Sequence, residues 1–391
     1  MRCPKYKRHA MFFVIKIIPK GEMIMSITRE TLPMLGFGLM RLPLLPTGKV
    51  DIEETKAMVD IYMQSGMNYF DTAYGYHEGE SELVVKEAIS SRYPREAFIL
   101  ASKLPIWSVK EAADVPKIFN HQLEKCGVDY FDYYLLHALN RERSDLCEQF
   151  GAYEFAKEMK KQGKIKHFGF SFHGKAECLE HILANHPEVE FVQLQLNYFD
   201  WMGDYRAHYD ITRKYGKPII IMEPVRGGAL AKLPSSVEEI FKEINPNVSN
   251  ASWAMRWAAD LDGVVNILSG MSNMEQLCDN IATLKPPAPL NADERNAIDK
   301  AAQTLTSMPQ IPCTACNYCK NCPEGVPIAD ILDMYNEFQT KGRSMFNLNK
   351  RHKEMQGKTA LDCTSCGVCS PICPQGIDIP AGIKQVKELL S

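Results

Sequence analysis

The chain has 391 residues, 45% hydrophobic and 24% charged, with 45 basic against 48 acidic side chains and a net charge of −3. Such a composition excludes a largely disordered chain and lacks the basic excess a nucleic-acid groove needs. No uncharged apolar run approaches the roughly 18 residues that span a bilayer, so neither membrane nor nucleic acid is an expected partner.

At the N-terminus, Arg2, Lys5, Lys7 and Arg8 precede an apolar stretch at 10–18 in the manner of a signal peptide. Lys16 interrupts that stretch and no small-x-small cleavage site follows, so export is not expected. Lys20-Gly21-Glu22 can be encoded by a stretch containing a bacterial ribosome-binding sequence, and Met23 and Met25 follow at once. Residues 1–24 therefore read as untranslated leader rendered as protein, and 1–25 as a non-native or disordered extension.

From about residue 34, short β-type runs alternate with amphipathic helical stretches. Strands are expected at 34–40, 68–72, 98–102, 133–137, 167–171, 191–196, 218–222 and 264–269. Helices are expected between them, for example at 53–65, 81–90, 116–126, 148–162 and 273–283. In the first helix Ala57, Met58, Ile61 and Tyr62 recur at three- and four-residue steps, as one buried face requires. Gly66, Gly127 and Gly163 stand where helices end in a left-handed turn. Eight strand-plus-helix units predict a closed (β/α)8 TIM barrel over 26–290. No G-x-G-x-x-G follows the first strand, as a Rossmann domain would show. Lys285-Pro286-Pro287-Ala288-Pro289 then reads as a stiff connector. Residues 291–391 are expected to hold one more helix and a small, mainly helical cysteine-rich domain.

Barrel enzymes carry their chemistry at the C-terminal ends of the strands. Asp71, Lys103 and His137 end the second, third and fourth strands, and Tyr76 lies five residues beyond Asp71. Singly, these residues suit a helix cap, a solvated loop lysine and a satisfied core histidine. On successive strand ends, within FDTAYGYHEGESE, SKL and DYYLLH, they resemble the aldo-keto reductase superfamily, and the resemblance implies carbonyl reduction, which needs a proton donor for the developing alkoxide. A phenol is sluggish in that role at neutral pH unless its anion is stabilised. An ammonium at Lys103 would stabilise it, Asp71 would keep the lysine charged, and His137 would orient the substrate oxygen. Beyond them, Gln193, Gln195 and Asn197 share one strand face and need partners, either a ligand or an internal network.

Thirteen cysteines are present, eight of them after residue 312. The motifs are CTACNYCKNCP, with Cys313, Cys316, Cys319 and Cys322, and CTSCGVCSPICP, with Cys363, Cys366, Cys369 and Cys373. Zinc ribbons place cysteines two and two, about 15–20 residues apart. Four close-set cysteines ending in Cys-Pro, twice, fit 4Fe–4S clusters instead, and the second motif has the bacterial ferredoxin spacing. In two-cluster ferredoxins the fourth cysteine serves the other cluster. By that analogy Cys373 joins Cys313, Cys316 and Cys319, and Cys322 joins the second set. Such clusters point to a reducing cytoplasm.

The segments FDTAYGYHEGESE, SKL and DYYLLH resemble the aldo-keto reductase superfamily, and with the cysteine tail its iron–sulfur-bearing branch. The resemblance implies an NADP- or NAD-dependent oxidoreductase acting on a small carbonyl or alcohol, with Asp71, Tyr76, Lys103 and His137 catalytic. It further implies that Ser171 and Gln193 hold the nicotinamide carboxamide, with His173 beside them because Phe172 replaces the family's usual asparagine. MEPVRGG resembles the pyrophosphate loop, which brings in Arg226 and Gly227, and Met222 stands where many members stack an aromatic ring. In SGMSNMEQLCDN, Gly270, Ser272, Gln276 and Asn280 match the ribose and adenine contacts, without the usual cation for a 2′-phosphate. Trp107 and Trp201 are candidate pocket residues. The alternative is an electron-transfer or redox-sensing protein whose barrel is a nucleotide-binding scaffold. The clusters either shape the pocket or carry electrons from a partner such as ferredoxin.

Overall fold

Alternation along each strand decides which side chains meet, and here it sorts them into two packed layers. The computed structural model describes residues 27–340, 343–355 and 357–390, so the expected extension at 1–25 lies outside the described residues. The eight strands are β1 (Leu35–Gly38), β2 (Tyr69–Asp71), β3 (Ile99–Leu104), β4 (Phe131–Leu139), β5 (Ile165–Phe172), β6 (Phe191–Gln195), β7 (Ile219–Met222) and β8 (Val264–Gly270). All pair in parallel and in order, and the sheet closes where Leu35 of β1 lies opposite Ile267 of β8. The expected TIM barrel is therefore present, and each expected strand overlaps an observed one.

Phe70, Leu100, Tyr134, Phe170 and Val192 point outward and pack under the helices. Tyr69, Ala101, Tyr133, Leu135, Phe191 and Ile220 fill the barrel centre. With a period of two, the next inward positions toward the C-terminal end are Asp71, Lys103, His137, Gln193 and Met222. The apolar plug thus ends where a polar layer begins. The helix expected at 148–162 is instead two, Arg141–Gln149 and Ala152–Lys161, separated at Gly151 with φ of +68°.

The helix Ala292–Thr306, expected to go with the tail, packs its Ala297, Ile298, Ala301 and Leu305 against Leu230, Val237, Phe241 and Trp253 of the barrel flank. A reciprocal Asn291–Glu294 cap starts it, and Arg256 grips Glu294 at 2.7 and 2.8 Å. The tail beyond it has helices Ile328–Thr340, Met345–Glu354 and Ile379–Leu390. Its small core joins Ile311, Ile331, Leu332, Ile379 and Ile383, with Cys319 buried among them. Among the described residues no helix is long and apolar enough to cross a membrane.

Candidate active site

The ladders set Asp71 beside Ala101 and Lys103 beside Leu135, bringing the ends of β2, β3 and β4 together. Lys103 is fully buried and donates to Asp71 Oδ1 at 2.6 Å, to the Thr72 carbonyl at 2.7 Å and to Tyr76 Oη at 3.3 Å. Three acceptors match the three donors of an ammonium. Burial pushes the Lys103 amine down and the Asp71 carboxyl up, and their contact opposes both shifts. The hydrogen-bond count and the 2.6 Å contact make the pair ionic.

Because Tyr76 Oη accepts from Lys103, the phenol's own proton is free to point elsewhere. Burial, followed by the charges of Asp71 and Glu223, holds this hydroxyl well above the usual phenol range. That departs from the expectation of a phenol eased downward by Lys103. Desolvation outweighs the ammonium, whose charge is shared with Asp71. Tyr76 is therefore protonated, the form a proton donor needs. His137 lies 5.9 Å away, centroid to centroid. Burial, aided by Lys103, His173 and Arg143, holds its imidazole well below the usual range and keeps it neutral.

Asp71, Tyr76 and His137 open into a cavity of about 290 Å³ that also takes in Ser171, Gln193, Gly227, Gly270, Ser272, Gln276 and Asn280. Ser171 Oγ accepts from the Ala138 amide at 2.7 Å, leaving its proton to donate. Gln193 Nε2 faces Met222 Sδ at 3.4 Å, while its buried Oε1 has no partner. A free hydroxyl donor and an orphaned carbonyl acceptor on adjacent strands suit a carboxamide, which offers one of each complement. At the far end the Ser272 amide donates to Gln276 Oε1 at 2.8 Å, and Asn280 Nδ2 donates to Ser269 Oγ at 2.9 Å.

Arg226 does not join them. Its guanidinium is 3% exposed and turned away from the cavity, with Nε donating to Asp200 Oδ1 at 3.0 Å over the Phe199 ring. Asp200 also accepts from Gln195 at 2.7 Å and Asn197 at 2.8 Å. A buried carboxylate ringed by amides demands a cation, which draws Arg226 inward. Gln195 and Asn197 thus belong to an internal network, whereas Gln193 lines the cavity. Trp107 lies 5.0 Å from His137, but Trp201 packs on the flank against Tyr209 and Trp257.

The tail covers the barrel mouth. Thr314, Cys316, Tyr318, Pro374 and Gln375 line the same cavity. Arg41, a residue no motif singled out, donates to the Thr314 carbonyl at 2.9 Å and pairs with Glu223 at 3.5 Å. Gln375 exchanges hydrogen bonds with Gln195 at 3.1 and 2.8 Å. Gly227 has φ of +65°, and a Cβ there would stand 2.0 Å from the Thr314 carbonyl oxygen. Gly228 also has a positive φ but open space beside it. Gly227→Ala is therefore expected to lose about 2 kcal/mol or more, and Gly228→Ala only the left-handed strain of about 1 kcal/mol. Unfolding midpoints and limited proteolysis of the tail check this; equal losses would place the strain in the turn rather than at the docked tail.

The cysteines of the two motifs gather in two groups. Cys313, Cys316, Cys319 and Cys373 surround a small void closed by Leu332, Ile377 and Ile379. Burial first, and then the neighbouring Cys322, Cys363 and Cys366, push the Cys369 thiol up. Among the described residues no three such side chains converge on a single ion position; the first set is spread around a void, an arrangement that suits a cage-like cluster.

A parallel barrel with a buried lysine–carboxylate pair behind a protonated tyrosine is that of a barrel oxidoreductase. Residues 34–303 match the aldo/keto reductase family, and the chain belongs to it. Residues 312–378 match the 4Fe-4S dicluster domain. The chain is similar to the oxidoreductase YqkF of Bacillus subtilis, 24% identical over 59% of this chain and 82% of that one. It is also similar to the NADH-specific methylglyoxal reductase of Escherichia coli, 23% identical over 69% and 94% of the two chains. An aldo-keto reductase structure from Klebsiella pneumoniae in complex with NADPH shares the fold, with TM-score 0.57 and 20% identity over 71% and 95%.

Proposed function

We propose that the protein interconverts a small carbonyl and its alcohol with a nicotinamide dinucleotide, Tyr76 acting as general acid and base. The observation that carries this is Lys103, whose three donated hydrogen bonds leave the Tyr76 proton facing the cavity beside His137. A bound reduced nicotinamide would supply the hydride. Tyr76 gives its proton to the substrate oxygen, Lys103 stabilises the phenolate left behind, and neutral His137 orients that oxygen by donating a hydrogen bond. Ser171 and Gln193 would hold the carboxamide, with Gly227, Gly270, Ser272, Gln276 and Asn280 along the remainder of the coenzyme.

Either NADP or NAD fits. Among the described residues lining the cavity, Arg41 is the lysine or arginine present, and it is engaged by the tail and Glu223. The crossed cysteine sets would hold two 4Fe–4S clusters, chemistry at home in a reducing cytoplasm. Oxidation of NADPH and of NADH by anaerobically prepared protein, against a panel of short aldehydes and ketones, tests the reading. No nicotinamide-linked turnover, together with turnover driven by dithionite or reduced ferredoxin, would overturn it in favour of electron delivery. The same preparation is expected to carry about eight irons and eight sulfides per chain, with a brown absorbance that reductant bleaches. One or two zinc ions without acid-labile sulfide would refute the cluster assignment.

A further inference from the structure

Hydride transfer needs no iron–sulfur cluster, because a cluster passes single electrons. The structure nevertheless joins the cysteine loop to the catalytic layer at one side chain. Tyr318 lies between Cys316 and Cys319, its ring enters the cavity, and its hydroxyl stands 3.3 Å from His137 Nε2. Among the described residues that hydroxyl is the ring's one hydrogen-bond partner, since buried Nδ1 has none. Tyr318 stands two positions after Cys316 and one before Cys319, so one residue is fixed within the cysteine motif by its backbone and reaches His137 through its side chain. Cys316 itself lines both the void and the catalytic cavity.

We propose that Tyr318 is a positioning residue of the active site, supplied by the tail, which fixes the His137 ring and ties that contact to the neighbouring cluster site. A neutral imidazole carries one N–H, and a buried orphaned donor is rarer and costlier than an under-used acceptor. With Nδ1 unpartnered, the favoured tautomer places the proton on Nε2, donating to Tyr318 Oη. This is also the tautomer that can donate to a substrate oxygen arriving from the cavity. Tyr318 therefore holds the ring in its working form before substrate enters. Arg41, gripping the Thr314 and Ala315 carbonyls, seats the loop from below. The cluster would act as a staple for an active-site side chain, which gives a hydride enzyme a use for it. The inference rests on His137 being the orienting group of the proposed reductase.

The test uses the full chain, prepared anaerobically, and Tyr318→Phe, which keeps the ring and removes one oxygen. Brief diethyl pyrocarbonate treatment with peptide mapping reads His137 reactivity, exposed His181 serving as internal reference. Losing the hydrogen bond is expected to raise His137 modification about fivefold and lower kcat for a short aldehyde by a similar factor, with coenzyme KM and iron content unchanged. Chelating the iron from the wild-type protein is expected to raise His137 modification likewise, because the loop no longer holds Tyr318. Equal His137 reactivity in wild type and variant would overturn the proposal, whether or not the protein reduces carbonyls. Equal reactivity with and without iron would overturn the link to the cluster site. The His137 response without any NADPH- or NADH-linked turnover would leave the Tyr318 contact established and refute the reductase reading instead.

Discussion

Tyr76→Phe is expected to fold, keep its iron and bind coenzyme, yet lose at least about a hundredfold in kcat for carbonyl reduction. The substitution removes one oxygen at the rim of the cavity, where Tyr76 is 9% exposed, and leaves the ring under the Lys103 ammonium, 4.8 Å from its centroid. One of the three acceptors around Lys103 disappears, while Asp71 and the Thr72 carbonyl remain. Stability should therefore change little while the proton donor is gone. Lys103→Met should be as inactive for a different reason. It strips the phenolate of its counter-charge and strands Asp71, buried with Oδ2 already unpartnered, at a cost of about 3–5 kcal/mol. The pair of variants separates chemistry from folding: single-turnover rates should fall in both, and the unfolding midpoint in Lys103→Met alone. Carbonyl reduction by Tyr76→Phe within a few-fold of wild type would remove Tyr76 from the proton-donor role.

The strands and the polar layer above the barrel core were legible because both follow from a period of two. Once Tyr69, Ala101, Leu135 and Phe191 point inward, Asp71, Lys103, His137 and Gln193 must lie above them. What the pattern hid were consequences of three-dimensional packing. Arg226 stands in a glycine-rich loop like a phosphate ligand, yet a carboxylate 26 positions earlier in the chain captures it. Nothing local to residue 226 announces that, although the amides at 195 and 197 hinted at an internal network needing a centre. Tyr318 was hidden by its neighbours, since within a cysteine motif every intervening residue reads as spacer. The direction of the Tyr76 shift was also out of reach, because burial, which decides it, is a property of the closed mouth and the tail across it.

The tail helix Ile379–Leu390 shows the opposite case. Ile379, Ile383 and Val386 recur at helical spacing and are buried together, so its signal was present after the second Cys-Pro. The helix Met345–Glu354 buries only Leu348, leaves Met345 and Phe346 exposed and is polar from Asn349 on, which gives periodicity little to detect. The placement of Ala292–Thr306 likewise turned on packing. A proline-rich connector suggests a boundary, but the alanine-rich face of this helix fits the barrel flank and leaves the chain to enter the tail after it.

Arg226→Ala is expected to destabilise the protein by about 3–5 kcal/mol, the usual consequence of leaving one buried charge without its partner. Asp200 would keep the amides of Gln195 and Asn197 but lose the cation it pairs with, at a site where the pair's side chains are 3% and 7% exposed. The damage should spread along the network. Gln195 is held between Asp200 and Gln375, so the tail contact at Gln375 loosens with it. Asp200→Asn combined with Arg226→Met should recover most of the loss, because an amide tolerates burial without a counter-ion far better than a carboxylate. The two roles open to Arg226 then diverge in measurement. If it served the coenzyme's phosphates, Arg226→Ala would weaken coenzyme binding in proportion to the lost charge-assisted bond, roughly 1.5–3 kcal/mol, at an unchanged unfolding midpoint. If it serves the fold, the midpoint falls first, and the double variant restores both stability and coenzyme affinity although the arginine is still missing. Unchanged stability in Arg226→Ala would sink the structural assignment, since no charge that deeply buried can be neutral to the fold and still be paired.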